Sequence, residues 1–153
     1  MENQLQGKDT IKEFILGGIA TFTIRSKVTQ SRFTYRARLA PRQGDAERPY
    51  FVSVLRGEDN TGDYAYLGCI WPKSGRYVHG KKSRIPGISL SALAFRWLWR
   101  QLNADEPDLS EMEFFHAGTC ARCGRLLTVP ESIQSGWGPV CAKERTRDRQ
   151  LTA

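Results

Sequence analysis

From Ile19 onward the chain alternates. In "IATFTIRSKV", Phe22 and Ile24 fall on one face and Thr21, Thr23, Arg25 and Lys27 on the other. In "RFTYRARL", Phe33, Tyr35, Ala37 and Leu39 oppose Arg32, Thr34, Arg36 and Arg38. A period of two is that of a strand, whose side chains point alternately to opposite faces. The polar "TQS" between the two runs reads as a hairpin turn. Pairing them puts Arg25, Lys27, Arg32, Arg36 and Arg38 on a single face. A proline-bracketed loop (41–49) leads to a third strand, "YFVSVLRG" (50–57). "EDNTGD" reads as a turn, "YAYLGCIW" (64–71) as a fourth strand and "RYVHG" (76–80) as a short fifth. The connections are too short for parallel crossovers, so an antiparallel meander of four or five strands is expected.

The period changes in "SLSALAFRWLWRQLN" (89–103). Leu90, Leu93, Ala94, Trp97 and Leu98 make an apolar stripe at helical spacing, and Phe95, Trp99 and Leu102 widen it. Arg96, Arg100 and Asn103 form a narrow polar stripe. Ser89 or Ser91 can cap the start. So broad an arc implies burial on two sides, against the sheet and against the C-terminal module; a partner protein is the other occupant considered. Residues 1–13 read as a flexible leader, 14–104 as a basic sheet-and-helix domain, and 105–115, acidic and containing Pro107, as a linker. Residues 116–153 hold the remaining pattern. The expected class is α+β: a meander packed by one Trp-rich helix, plus a C-terminal treble-clef-like zinc module.

Composition narrows the setting. A chain of 153 residues suits one domain with a small satellite. No apolar run reaches membrane-spanning length, and the polar start lacks a signal core, so a cytoplasmic protein is expected. Clustered cysteines there bind metal more often than they form disulfides. The net charge of +7 is uneven. Six basic and no acidic residues lie between Glu13 and Asp45, and seven and none between Asp63 and Asp105. Such a field favours a polyanion, nucleic acid first.

The candidate chemistry sits in "HAGTCARCGRLLTVPESIQSGWGPVCAKE", as His116-x3-Cys120-x2-Cys123-x17-Cys141. A Cys-x2-Cys-Gly knuckle aims two thiolates at one point, and Gly124 supplies the turn. Pro139 suits a helix start, which puts Cys141 in a first helical turn, where free amides favour a thiolate. With His116 as fourth ligand this is a closed Cys3His site for one structural zinc per chain. A closed site, no convergent acid and base, and no zinc-deaminase signature argue against an enzyme. Cys69, among apolar neighbours, reads as a core cysteine.

Cys120, Cys123, Gly124, Arg125, Leu127, Thr128, Pro130, Glu131, Ser132, Ile133, Gly136, Gly138, Pro139 and Cys141 carry a resemblance. Their pattern resembles the cysteine-rich module of an uncharacterised-domain family of small phage, plasmid and bacterial proteins. The resemblance implies a small zinc-binding module and a mobile-element setting, and no defined activity. The "RFTYR" to "YAYLG" region is also similar to what precedes that module in phage relatives. The order of four strands and a helix resembles the Whirly and coactivator single-strand-binding folds.

The functional expectation is a non-enzymatic, zinc-stabilised nucleic-acid-binding accessory protein of a phage or mobile element, acting in the host cytoplasm. The alternative is a protein-interaction inhibitor of a host defence complex, of anti-CRISPR or anti-restriction type. Expected nucleic-acid contacts are Arg25, Lys27, Arg32, Arg36 and Arg38 on the hairpin, and Lys73, Arg76, Tyr77, Lys81, Lys82 and Arg84 in "WPKSGRYVHGKKSR" (71–84). In the hairpin the rings and the cations take opposite faces, which counts against a stacking platform there.

Overall fold

The alternating segments do become strands, and the sheet is larger than they suggest. A computed structural model describes residues 2–58 and 62–152. The elements are β1 (Gln4–Leu5), α1 (Lys8–Ile15), β2 (Ile19–Ser26), β3 (Arg32–Leu39), β4 (Tyr50–Leu55), β5 (Tyr64–Trp71), β6 (Arg76–His79), α2 (Leu90–Leu102), β7 (Met112–His116), α3 (Pro130–Ser135) and α4 (Pro139–Thr152). β2 to β6 form the expected antiparallel meander. Two further strands raise the count to seven, in the order β1-β7-β2-β3-β4-β5-β6. The centre of the turn expected at 58–63 lies outside the described residues.

Both additional strands fall where little structure was expected. Residues 105–115 are not simply a linker: β7 pairs with β2, Phe22 opposite His116 and Ile24 opposite Phe114. Met112, Phe114 and His116 are buried while Glu113 and Phe115 are half-exposed, the period-two signature in only five residues. Residues 1–13 are not a loose leader either. β1 pairs with β7, and α1 buries Ile11, Phe14 and Ile15. That i, i+3, i+4 stripe is one narrow face of a short helix, enough to anchor it by burial.

α1 and α2 share the inner face of the sheet. Phe95 of α2 is fully buried, with ring centroids 5.3 Å from Tyr35 and 4.9 Å from Tyr77. Phe22 stacks on Phe114 at 4.9 Å, and Phe14 of α1 meets Phe114 edge-on. Tyr35 also donates its hydroxyl to the Ser91 carbonyl at 2.7 Å, tying the start of α2 to the sheet. Ser89 caps α2 by accepting from the Ala92 amide. The buried stripe is Ala92, Phe95, Leu98, Trp99 and Leu102. The expected stripe was rotated from this: Leu90 and Leu93 are exposed. The neighbour beside α2 is α1, whose Lys8 and Lys12 reach the C-terminal end of α2 at Ala104 and Asn103, rather than the C-terminal module. No helix among the described residues is long and apolar enough to cross a membrane.

The outer face follows from the register. Arg25 lies opposite Arg32, Thr21 opposite Arg36, Arg36 opposite Ser53 and Ser53 opposite Tyr66. Arg38 lies opposite Phe51, and Leu55 opposite Tyr64. None of these outward residues is buried, whereas their inward neighbours Phe22, Ile24, Tyr35, Ala37, Val52 and Val54 all are.

Candidate metal centre and the open sheet face

Cys120 and Cys123 sit on a knuckle built by the backbone. The Cys120 amide donates to the Arg125 carbonyl at 2.8 Å and the Gly124 amide to the Cys120 carbonyl at 2.9 Å. Gly124 holds φ 74°, a left-handed conformation that other residues adopt at a cost. The amides of Arg122 and Gly138 both point at the Cys120 sulfur, at 3.4 and 3.2 Å. Cys141 lies in the first turn of α4, immediately after Pro139 and Val140. The three sulfurs lie within 4.8 Å of one another, and no disulfide joins them. Three thiolates around one zinc ion, each bond ~2.3 Å, need sulfurs ~3.8 Å apart, so the set fits a metal after a small contraction.

The electrostatics agree. Burial opposes ionisation of Cys120, but the amides of Gly138, Cys123 and Arg122 and the Cys123 thiol outweigh it and hold its thiol below the ordinary cysteine range. Burial first, then the bonds and charges of Cys123 and Cys120, push the Cys141 thiol up to about 12. One thiolate is thus stabilised by backbone dipoles, and the last costs too much without a cation. A bound divalent ion removes that cost. Cys120, Cys123 and Cys141 would hold it, and its role there would be to fix the knuckle to α4.

His116 is not brought into this group. It is buried at the end of β7, where its Nδ1 accepts from the Gly118 amide at 3.0 Å and its Nε2 donates to the Ile133 carbonyl. Both nitrogens are therefore spent on backbone, and the ring pins β7 to α3. Burial lowers its pKa, with the Ile133 bond acting in the opposite direction. The expected Cys3His set reduces to three cysteines among the described residues.

The knuckle is not a satellite. The Ile19 amide donates to the Ala121 carbonyl at 2.8 Å, and the Ala121 amide to the Gly136 carbonyl at 3.0 Å. At Gly17 a Cβ would lie 2.6 Å from that of Ala121, so the knuckle presses on the corner between α1 and β2. Trp137 is buried beside it, with the Arg145 guanidinium 4.4 Å from its ring, and Arg145 pairs with Glu13 of α1 at 3.4 Å.

Residues 111–146 match DUF6011, a family of unknown function. The DUF6011 match begins just before β7 and ends within α4. It thus includes the strand that enters the sheet as well as the cysteines. No curated protein and no solved structure matches the chain.

The expected nucleic-acid contacts separate in the structure. Arg25, Arg32, Arg36 and Arg38 do share the outer face, whereas Lys27 lies in the turn beyond β2. Arg25 is bound to Glu113 at 2.6 Å, so its charge is partly compensated. Arg76 is exposed on the edge strand β6. Lys73, Lys81, Lys82 and Arg84 are exposed in the connections on either side of it. Tyr77 is misplaced: it faces inward against Phe95, with its hydroxyl buried, because it alternates with Arg76 and Val78 on β6. In its place the outer face carries rings that the hairpin alone did not reveal. Phe51 is 41% exposed and meets Tyr66 edge-on at 6.2 Å. Arg36 lies 3.9 Å over the Tyr64 ring, and Arg25 5.7 Å from that of Phe115. Burial and then a bond to Cys69 raise the Tyr66 hydroxyl to about 12, so that ring stays neutral. Cys69 is thus half-buried on the outer face rather than in the core. The signal that would have found these rings is the parity of β4 and β5 against β3, which requires the register and not only the alternation.

Proposed function

We propose that this chain is a non-enzymatic, zinc-stabilised accessory protein that binds nucleic acid on the open face of its sheet. The observation that carries the reading is the interleaving on that face of Arg32, Arg36 and Arg38 with Phe51, Tyr64 and Tyr66. Cations there meet phosphates, and rings of this kind stack unpaired bases at ~1–3 kcal/mol per base. A face of seven strands is too broad to enter a duplex groove as a helix or a two-stranded ribbon does, so unpaired strands fit it better. The exposed cations of the 71–84 loop extend the positive field along one edge of the sheet. The resemblance of the 120–141 motif supports a mobile-element setting, and the clustered, unpaired cysteines support the cytoplasm of a host. The treble-clef reading of the metal module rests on the knuckle and on Cys141 at the head of a helix.

Fluorescence anisotropy with single-stranded and duplex oligonucleotides of one sequence tests this at several salt concentrations. Single strands should bind with a steep salt dependence. Absence of binding to either form at low salt refutes the proposal. A second reading, the inhibitor of a host defence complex, draws on a different feature: a groove of about 450 Å³ lined by Leu90, Leu93, Ala94, Trp97, Phe33 and Met112. Nuclease-resistant capture of a host protein, lost in Leu93→Asp, would favour it.

A further inference from the structure

We infer that the three-cysteine centre has a fourth coordination position open to an external donor, and that it selects a neutral imidazole carried on an apolar body. The inference rests on the zinc part of the function proposed above. Three observations carry it. First, the side chains nearest the cysteines are otherwise engaged. His116 spends both ring nitrogens on Gly118 and Ile133, and Glu144, one turn beyond Cys141, pairs with Arg122 at 3.0 Å. Among the described residues no other histidine, cysteine or carboxylate joins the three sulfurs.

Second, the centre is not enclosed. A cleft of about 370 Å³ is lined by Cys120, Cys123 and Cys141 together, and Cys123 itself is exposed. A tetrahedral ion on three protein donors keeps one position for water or another ligand. Third, the cleft is rimmed by apolar side chains that the fold leaves in solvent. Leu126 is 73%, Val129 40% and Val140 68% exposed, and all three line it beside the ionic Arg125 and the paired Glu144. No core requirement explains three exposed aliphatic residues around one opening.

Charge selects the donor. A divalent ion with three thiolates carries one net negative charge. A fourth thiolate or a carboxylate would add another beside the buried Cys120 and Cys141, whereas neutral imidazole displaces water without changing the charge. The chain does not supply that imidazole in this fold. Its histidines are His79 and His116, and His79 ends β6 at the far edge of the sheet, where its Nε2 meets the Ile85 carbonyl at 2.8 Å, outside the sulfur group. The donor therefore comes from another molecule, and the apolar rim favours a histidine flanked by aliphatic side chains over free imidazole.

The full chain loaded with Co2+ tests this, since cobalt reports its ligands by absorption. Titration with free imidazole should shift the ligand-field bands saturably, at one per metal, and equally in the wild type and in His116→Gln. A capped Leu-His-Leu peptide should produce the same shift at about tenfold lower concentration. Leu126→Ser should weaken the peptide and not imidazole. If imidazole leaves the wild-type bands unmoved, the fourth position is closed and the inference fails. That result would be reinforced if His116→Gln alone moved the bands. If the peptide binds no better than imidazole, the selective rim is refuted. If no cobalt binds at all, the metal reading itself fails, a distinct outcome.

Discussion

Replacing Arg32, Arg36 and Arg38 together by Gln isolates the electrostatic part of the proposed interface. All three lie on outward positions of β3, and no carboxylate is paired with them among the described residues. For single strands each neutralised phosphate contributes ~0.7 to the slope of log K against log salt. Losing three contacts should lower that slope by about 2 and weaken binding about a hundredfold at ~0.1 M salt. Glu113→Gln should act in the opposite sense. It releases Arg25 from a 2.6 Å pair, and the slope should steepen by up to ~0.7. Phe51→Ala and Tyr66→Ala should each weaken single-strand binding about tenfold while leaving the slope unchanged, because a stacked base releases no counterion. Anisotropy titrations at four or more salt concentrations resolve slope from intercept. A wild-type slope in the triple variant would remove β3 as the phosphate-binding strand. The phosphates would then lie elsewhere, with the loop bearing Lys81, Lys82 and Arg84 the next place to look.

Elemental analysis should find one zinc per chain, and Cys120→Ser should abolish it and lower the Tm; a metal-free, equally stable wild type would contradict the centre. His116 gives a pH dependence with a definite sign. Its folded pKa lies below the unfolded value of ~6.5, so the unfolded chain takes up the proton first. Stability is full above about 6.5 and falls as the pH drops below it towards the folded pKa. In chelator-treated protein the urea midpoint should follow that course, and His116→Gln should flatten it. Gly136→Ala should destabilise by more than ~1 kcal/mol, since it holds φ 84° and a Cβ would sit 2.7 Å from the Phe14 ring; an unchanged Tm would show that the contact yields. Tyr35→Phe should cost about 1 kcal/mol through its lost bond to Ser91, read from denaturant midpoints.

What the sequence made legible was whatever a local period can carry. The meander β2 to β6 and α2 all stand out, because each repeats its pattern over several residues. So does the three-cysteine cluster, because ligand spacing and the Gly124 turn are local properties. What stayed hidden was pairing at a distance. β7 is five residues next to acidic, proline-bearing chain, and only its place between β1 and β2 makes its alternation meaningful. α1 shows one apolar stripe in eight residues, too short for a firm helical period. The rotation of the α2 stripe was hidden for a related reason. With apolar residues around most of its circumference, the buried side is chosen by α1 and the sheet rather than by the helix. The place of His116 was hidden too, because nearness in sequence to a knuckle says nothing of where the ring points. The backbone partners that claim it, Gly118 and Ile133, appear only after β7 is placed.

The same strand decides how the cysteine centre relates to the proposed binding face. β7 presents Phe114 and His116 inward, to the core and to α3, and Glu113 and Phe115 outward, beside Arg25 and Thr23. Four residues past His116 the chain enters the knuckle at Cys120. A metal-dependent knuckle so attached cannot loosen without releasing its backbone bond to Ile19 at the start of β2 and the contact of Gly17 with Ala121. β2 is also the strand that carries Arg25 and pairs with β3. The centre is therefore built into the sheet it would stabilise, and its loss should disorder β7 and β2 before β4 and β5. Hydrogen exchange on the chelated protein reads this directly. Amides of Ile24 and Phe114 should lose protection ahead of those in Val52 and Ile70, and uniform loss across the sheet would mean that the two regions unfold as one.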